Sequence, residues 1–180
     1  MTSWKDTRRD IALDFNNCSA NGTLKAGFIT FFFNVSFQLL VLYRLFHYFS
    51  QRRGLGFLAL PLMYSQKILT GCYIHPGAEL GQRVNFPHPT GIVIGQNVKI
   101  RQGVTIFQGV TLGSHGKPGD PQMGYPVIED NATLYANAII IGGIRVGKNS
   151  IVGAGAVVLK DVPDNVITAG VPARTLRSIE

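Results

Sequence analysis

Apolar residues recur at every sixth position through the second half of the chain. Ile74, Leu80, Phe86, Ile92, Val98, Val104 and Val110 form one run, and Ile128, Leu134, Ile140, Val146, Val152 and Val158 form a second. Four residues after an anchor the side chain is often small, as at Ala78, Thr90, Ala132, Ala138, Ser150 and Ala156. Gly81, Gly95, Gly142, Gly147 and Gly153 punctuate the series. Neither helical periodicity nor strict alternation produces this spacing. A six-residue unit fits one short strand plus a turn, and three such units close a triangular coil whose anchors stack into a continuous core. The stretch Gly113 to Pro126 is rich in Gly and Pro and lacks aliphatic residues, so it reads as a loop thrown out from one corner. Val110 and Ile128 are separated by a whole number of six-residue units, which predicts that the coil keeps its phase across the loop.

The first 70 residues follow a different rule. Phe28, Phe31, Phe32, Val35, Leu39, Leu42 and Phe46 recur at helical spacing. Helices are expected over 4–15, 24–51 and 55–69. The end of the chain, with Gly170-Val171-Pro172-Ala173-Arg174, reads as a cap on the solenoid. The expected organisation is a helical region over 1–70, a β-helix over 71–163 with its loop at 113–126, and a cap over 164–180. The fold class is therefore expected to be mainly β.

Composition sharpens this picture. The chain has 180 residues, only 15% of them charged, which suggests that some surface is buried between subunits. The net charge is +7, concentrated in the N-terminal part, where phosphate-bearing ligands or anionic lipid are the partners it suits. No Arg/Lys run interleaved with aromatics is present, so nucleic acid is not expected. Cys18 and Cys72 form no CxxC pair, in keeping with a reducing compartment. Met1 to Asp14 is charged and lacks the apolar core of a secretory signal, so a cytoplasmic location is expected. Gly27 to Leu42 is the greasiest stretch, too short to span a bilayer and interrupted by Asn34, Ser36 and Gln38. The favoured reading is a helix buried against its own protein. The other is a peripheral helix on the inner face of the cell membrane, helped by Arg44, Arg52, Arg53 and Lys67.

Histidine is the natural base near neutral pH, and the chain has four. His47 lies beside Tyr43 and Phe46 on a predicted helix, where packing explains it. His88 lies two residues after the anchor Phe86, which puts it near a corner of the coil and facing outward. On spacing alone, a solvated turn histidine and a general base are equally good readings. No Cys/His spacing of a metal site is present, and no metal is expected.

The stretches Ile74-His75-Pro76-Gly77-Ala78-Glu79-Leu80-Gly81 and His88-Pro89-Thr90-Gly91-Ile92-Val93-Ile94-Gly95 resemble the serine acetyltransferases, hexapeptide-repeat acyltransferases. So do Val110-Thr111-Leu112-Gly113, Gly170-Val171-Pro172-Ala173-Arg174 and the upstream Tyr43-Arg44-Leu45-Phe46-His47. The resemblance implies a left-handed parallel β-helix and a homotrimer with its sites between subunits. It implies His88 as the base that lets an acceptor hydroxyl attack acetyl-CoA directly. By position it puts acetyl-CoA at Ser114, His115, Ala136 and Ala154, with Lys160 and Arg174 at the phosphates. It puts the acceptor near Tyr73, His75 and Tyr125.

The chain departs from the serine enzymes at three places. Their Asp in the Asp-Ile-His-Pro motif is Tyr73 here, the Asp before the catalytic His is Pro87, and the Arg-His pair before a Pro is Gly124-Tyr125. Each is a polar group that would grip or orient a zwitterion, and a carboxylate left unpaired is costly. Unless Arg83 or Arg101 substitutes, the pocket suits a neutral hydroxyl. The lead-in from Leu13 to Gly27, followed by an aromatic-rich helix, resembles that of capsule and colanic-acid acetyltransferases. The expected acceptor is therefore a sugar of a surface polysaccharide or its precursor. The alternatives are serine, as in cysteine biosynthesis, and a trimeric scaffold without catalysis.

Overall fold

The computed structural model describes residues 3–19, 23–116 and 124–179. Among the described residues four α-helices come first: α1 (Trp4–Cys18), α2 (Leu24–Phe33), α3 (Val35–Ser50) and α4 (Ala59–Thr70). The helix expected over 24–51 is in fact two. Asn34 ends α2 and caps α3, its side-chain oxygen accepting the Phe37 N–H at 3.0 Å, and the two axes are bent by 68°. Asn favours such caps because its side chain competes with the helical backbone. No single helix among the described residues is long and apolar enough to cross a membrane.

The rest is a three-sided parallel coil. The first face stacks β1 (Tyr73–Ile74), β3 (Val93–Ile94), β6 (Thr111–Gly113), β9 (Ile139–Ile141) and β12 (Val157–Val158). The second stacks β2 (Glu79–Leu80), β4 (Lys99–Ile100), β7 (Val127–Ile128) and β10 (Arg145–Val146). The third stacks β5 (Thr105–Ile106), β8 (Thr133–Leu134), β11 (Ile151–Val152) and β13 (Val166–Ala169). β14 (Arg174–Ser178) folds back antiparallel on β13, so the expected cap is a hairpin that extends the third face. More of the described residues lie in helices than in strands, which corrects the expectation of a mainly β chain. The strands contribute only two to five residues each, because a coil this tight spends most of its length in corners.

All thirteen anchors are buried, but they do not share one role. Ile74 pairs with Ile94, not with Ile92. Leu80 likewise pairs with Ile100, and Asn85 with Thr105, so the first coil takes twenty residues. Later coils take eighteen, as in Ile94 to Leu112 and Ile128 to Val146. Two residues are therefore inserted between Asn85 and Val93. From there the strand positions are Ile94, Ile100, Ile106 and Leu112, while Ile92, Val98, Val104 and Val110 fill the corners. Leu112 pairs with Ile140, twenty-eight residues on, so the loop inserts ten. Two plus ten restores the six-residue phase. The unbroken period in the sequence thus conceals two compensating offsets. The offset also explains Thr90, which is exposed while its counterparts Ala78, Ala132, Ala138, Ser150 and Ala156 are buried.

Arg44 fastens the helices to the coil. It is buried, pairs with Asp14 of α1 at 3.0 Å, and donates to the carbonyls of Leu80 at 2.7 Å and Gly81 at 2.6 Å. It is therefore not available to a membrane surface. The apolar stretch from Gly27 also divides. On α3, Phe37, Leu39, Leu40, Tyr43 and Phe46 are buried, whereas on α2, Phe28, Ile29, Phe31, Phe32 and Phe33 are exposed. Burial against the chain's own core accounts for α3 only.

Candidate active site

His88 stands on the edge between the third and first faces, in the corner that carries the two inserted residues. It is exposed, while Pro89 beside it is buried. Down this edge the backbone forms a ladder. The Gly109 N–H donates to the Thr90 carbonyl, Asn137 N–H to Gln108, and Gly155 N–H to Ala136, each at 2.9 Å. Side chains follow the same line. The His88 ring lies 6.4 Å from that of Phe107, and Phe107 stacks on Tyr135 at 5.0 Å with planes 18° apart.

A cleft of about 430 Å³ opens beside His88, lined by Phe33, Asn34, Val35 and Ser36 opposite Pro87, His88, Pro89 and Thr90. The α2–α3 break thus forms one wall. It is held in place by the Ser36 hydroxyl, which donates to the Phe86 carbonyl, and by the Asn34 amide, which donates to the Cys18 carbonyl at 3.3 Å. Phe107, Tyr135 and this wall were not singled out from the sequence. Only the register, which shifts between Asn85 and Val93, puts Phe107 level with His88. Among the described residues no side chain hydrogen-bonds the His88 ring.

The remaining expected site residues divide between two edges. Ala136, half-buried, and the exposed Ala154 lie below His88 on its own edge. Arg174, at the start of β14, pairs with Ala169, whose Cβ lies against Gly153 at the foot of that edge. Tyr73, on β1 of the first face, has its ring 6.3 Å from His75. His75 begins the edge between the first and second faces. Its Nδ1 accepts the Gly77 N–H at 2.9 Å, which leaves the proton on Nε2, and burial lowers its pKa below the ordinary value. Ser114, His115 and Lys160 fall on this second edge too, His115 against Gly142. Tyr125 packs on Gly95, where its ring covers the coil surface. The central part of the loop, 117–123, lies outside the described residues. Arg83 and Arg101 stand on the third edge, next to Gln82 and Gln102 in the turns after β2 and β4. They do not meet His88 in the same chain.

The other ionisable groups near the first coil are structural. Burial lowers the pKa of His47, whose Nδ1–H donates to the Pro76 carbonyl at 2.8 Å. Tyr43 donates to the Ala78 carbonyl at 2.7 Å, and burial raises its pKa. Among the described residues, no group of three His, Cys, Asp or Glu could hold a metal ion.

Comparison with known proteins gives one answer at each level. The bacterial transferase hexapeptide model (six repeats) matches residues 125–160. A serine acetyltransferase of Bacillus pumilus is 42% identical over 134 residues, which covers 74% of this chain and 60% of that protein. The chain thus spans about three-fifths of the length of that relative. The crystal structure of the Neisseria gonorrhoeae serine acetyltransferase superposes with a TM-score of 0.86 at 30% identity, over 98% of this chain and 67% of that one. That of the Brucella abortus serine acetyltransferase in complex with coenzyme A gives 0.85 and 30%, over 98% and 70%. These findings overturn the polysaccharide reading. These relatives are serine acetyltransferases, and the superposition includes the helical region that suggests a capsule-type branch. Similar aromatic content in that region reflects α2, whose composition alone cannot identify an acceptor.

Proposed function

We propose, for a chain that belongs to the serine acetyltransferase family of hexapeptide-repeat acyltransferases, that it transfers acetyl from acetyl-CoA to the hydroxyl of serine with His88 as general base. The observation that carries this reading is the His88 corner. It is the point at which two residues are added to the coil, and they lift an imidazole out of the stacked wall beside a cleft.

The chemistry needs little more than position. An alcohol is a poor nucleophile, so a base in hydrogen-bond reach contributes on the order of 10²–10⁴-fold. The neutral imidazole of His88 takes the hydroxyl proton as the oxygen bonds to the thioester carbonyl carbon. The tetrahedral intermediate collapses with loss of the CoA thiolate, and the proton on His88 is available to that thiolate.

The chain's residues fit the co-substrate. Ala136 and Ala154 leave a strip beside the backbone ladder open to a slender chain such as pantetheine. Lys160 and Arg174 are exposed and make no ion pair among the described residues, so both are open to phosphates. Ser114 and His115 lie on a different edge from His88. A site that uses both draws them from two copies, which fits a homotrimer with its sites between subunits.

Tyr73, Pro87 and Tyr125 still distinguish this chain from the serine enzymes' motif. In this reading the carboxylate of serine meets a cation from a neighbouring copy, because Arg83 and Arg101 lie on a different edge from His88. The test is thiol release from acetyl-CoA by purified protein with and without L-serine. Serine-dependent release that disappears in His88→Ala supports the reading. Release indifferent to serine, or to His88, would overturn it.

A further inference from the structure

The exposed face of a surface helix is normally polar. On α2 the relation is inverted. Thr30 is the buried residue, at 4% exposure, and Phe28, Phe31 and Phe32 are each more than half exposed. On a helical projection, Leu24, Phe28, Phe32, Ile29 and Phe33 follow one another around an outward arc, with Phe31 at its margin. Lys25 is the single charge within it. Phe28, Phe31 and Phe32 pack on one another, with centroids 4.7 and 5.0 Å apart, so they form one continuous aromatic surface. Exposed apolar surface this concentrated marks an interaction site.

The geometry points to a lipid bilayer containing anionic headgroups as the occupant, with α2 lying in the plane of the interface; this does not depend on the identity of the acetyl acceptor. Three features favour lipid. First, the apolar arc is convex and wraps about half of the helix, a shape that sinks into an interface, whereas a protein partner would need a groove. Second, α2 has ten residues and meets α3 at 68°, so it is too short to span and is angled away from the helix that follows. Third, Lys25 is exposed within the arc itself, and the first 70 residues carry most of the chain's excess positive charge, which anionic lipid attracts. Phe33 and Val35 continue from this surface into the wall of the His88 cleft, so docking would place that cleft beside the membrane.

The test is flotation of the full chain with phosphatidylglycerol-containing vesicles and, in parallel, with pure phosphatidylcholine vesicles. The variant is Phe28→Gln/Phe31→Gln/Phe32→Gln, whose exposed positions lie outside the His88 cleft. The native chain should float with the anionic vesicles, less so as salt rises. The variant should lose at least roughly tenfold in vesicle affinity while keeping its circular dichroism and molecular mass. Failure of the native chain to float, or equal flotation of the variant, would overturn the proposal. A variant that dissociates to a smaller oligomer would also overturn it, by assigning the surface to a second copy of the chain. Acetyl transfer by the variant to a free acceptor should be unchanged, which separates this proposal from the catalytic one.

Discussion

Arg44 and Asp14 meet at 3.0 Å with side-chain exposures of 7% and 1%, and they join α3 to α1 directly above the first coil. Arg44 also binds two coil carbonyls, so the pair is the polar joint between the helical region and the β-helix. Removing one partner of a buried pair leaves an uncompensated charge, which typically costs about 3–5 kcal/mol. Asp14→Ala is expected to lose stability of that order in urea unfolding. Asp14→Leu combined with Arg44→Met should lose less than Asp14→Ala, because no charge is stranded. Equal losses would mean that the joint depends on shape and not on charge.

The helical joint also sets a pH dependence. Burial holds the pKa of His47 below its ordinary value, so the folded state binds the proton less readily than the unfolded one. Its contribution to stability is complete above the ordinary histidine value and is lost as pH falls through the lowered one. His75 acts in the same direction. Thermal unfolding followed below neutrality should show stability falling with pH, and His47→Asn should flatten that slope without abolishing it. A slope identical in the variant would assign the effect to other groups.

The coil was legible because each six-residue unit must bury the same kind of side chain, and the sequence repeats that demand thirteen times. The register was not legible. An insertion of two and an insertion of ten sum to a multiple of six, so Ile92 and Val110 look like strand anchors although they fill corners. Asn34 carried a local signal, since Asn followed by an apolar run is a helix start, but the apolar period runs through it and suggested one helix. His88 could be found from its neighbours, whereas the wall formed by Phe33 to Ser36 depends on a contact across fifty residues, from Ser36 to Phe86. The absence of polar groups at Tyr73, Pro87 and Tyr125 argues for a neutral acceptor only within one chain, since a site shared between copies can draw its charge from elsewhere.

Two glycines on the His88 edge separate backbone strain from steric clash. Gly109 and Gly155 have φ of 68° and 67°, a region that side chains adopt at a cost. A Cβ on Gly109 would fall 2.1 Å from the Asn137 side-chain oxygen, while one on Gly155 meets nothing within 4 Å. Gly155→Ala should therefore cost only the conformational strain, about 1 kcal/mol. Gly109→Ala should cost measurably more, and substituting Asn137 by Gly in the same chain should recover the difference. Equal unfolding midpoints for the two alanine variants would show that Asn137 moves freely.

His88 and His75 give the sharpest contrast within the proposed mechanism. His88 makes no side-chain hydrogen bond among the described residues and is exposed, so alanine there should leave the fold intact. If it is the base, kcat should fall by on the order of 10²–10⁴-fold with the melting temperature unchanged. His75 holds its own turn through the Gly77 N–H and is half-buried, so alanine there should lower the melting temperature first. Its effect on kcat should be smaller than that of His88→Ala. A His75→Ala variant that is stable but inactive, beside an active His88→Ala, would move the base from the enlarged corner to the neighbouring edge. Measuring both variants for acetyl-CoA thiol release and for thermal unfolding decides between the two assignments.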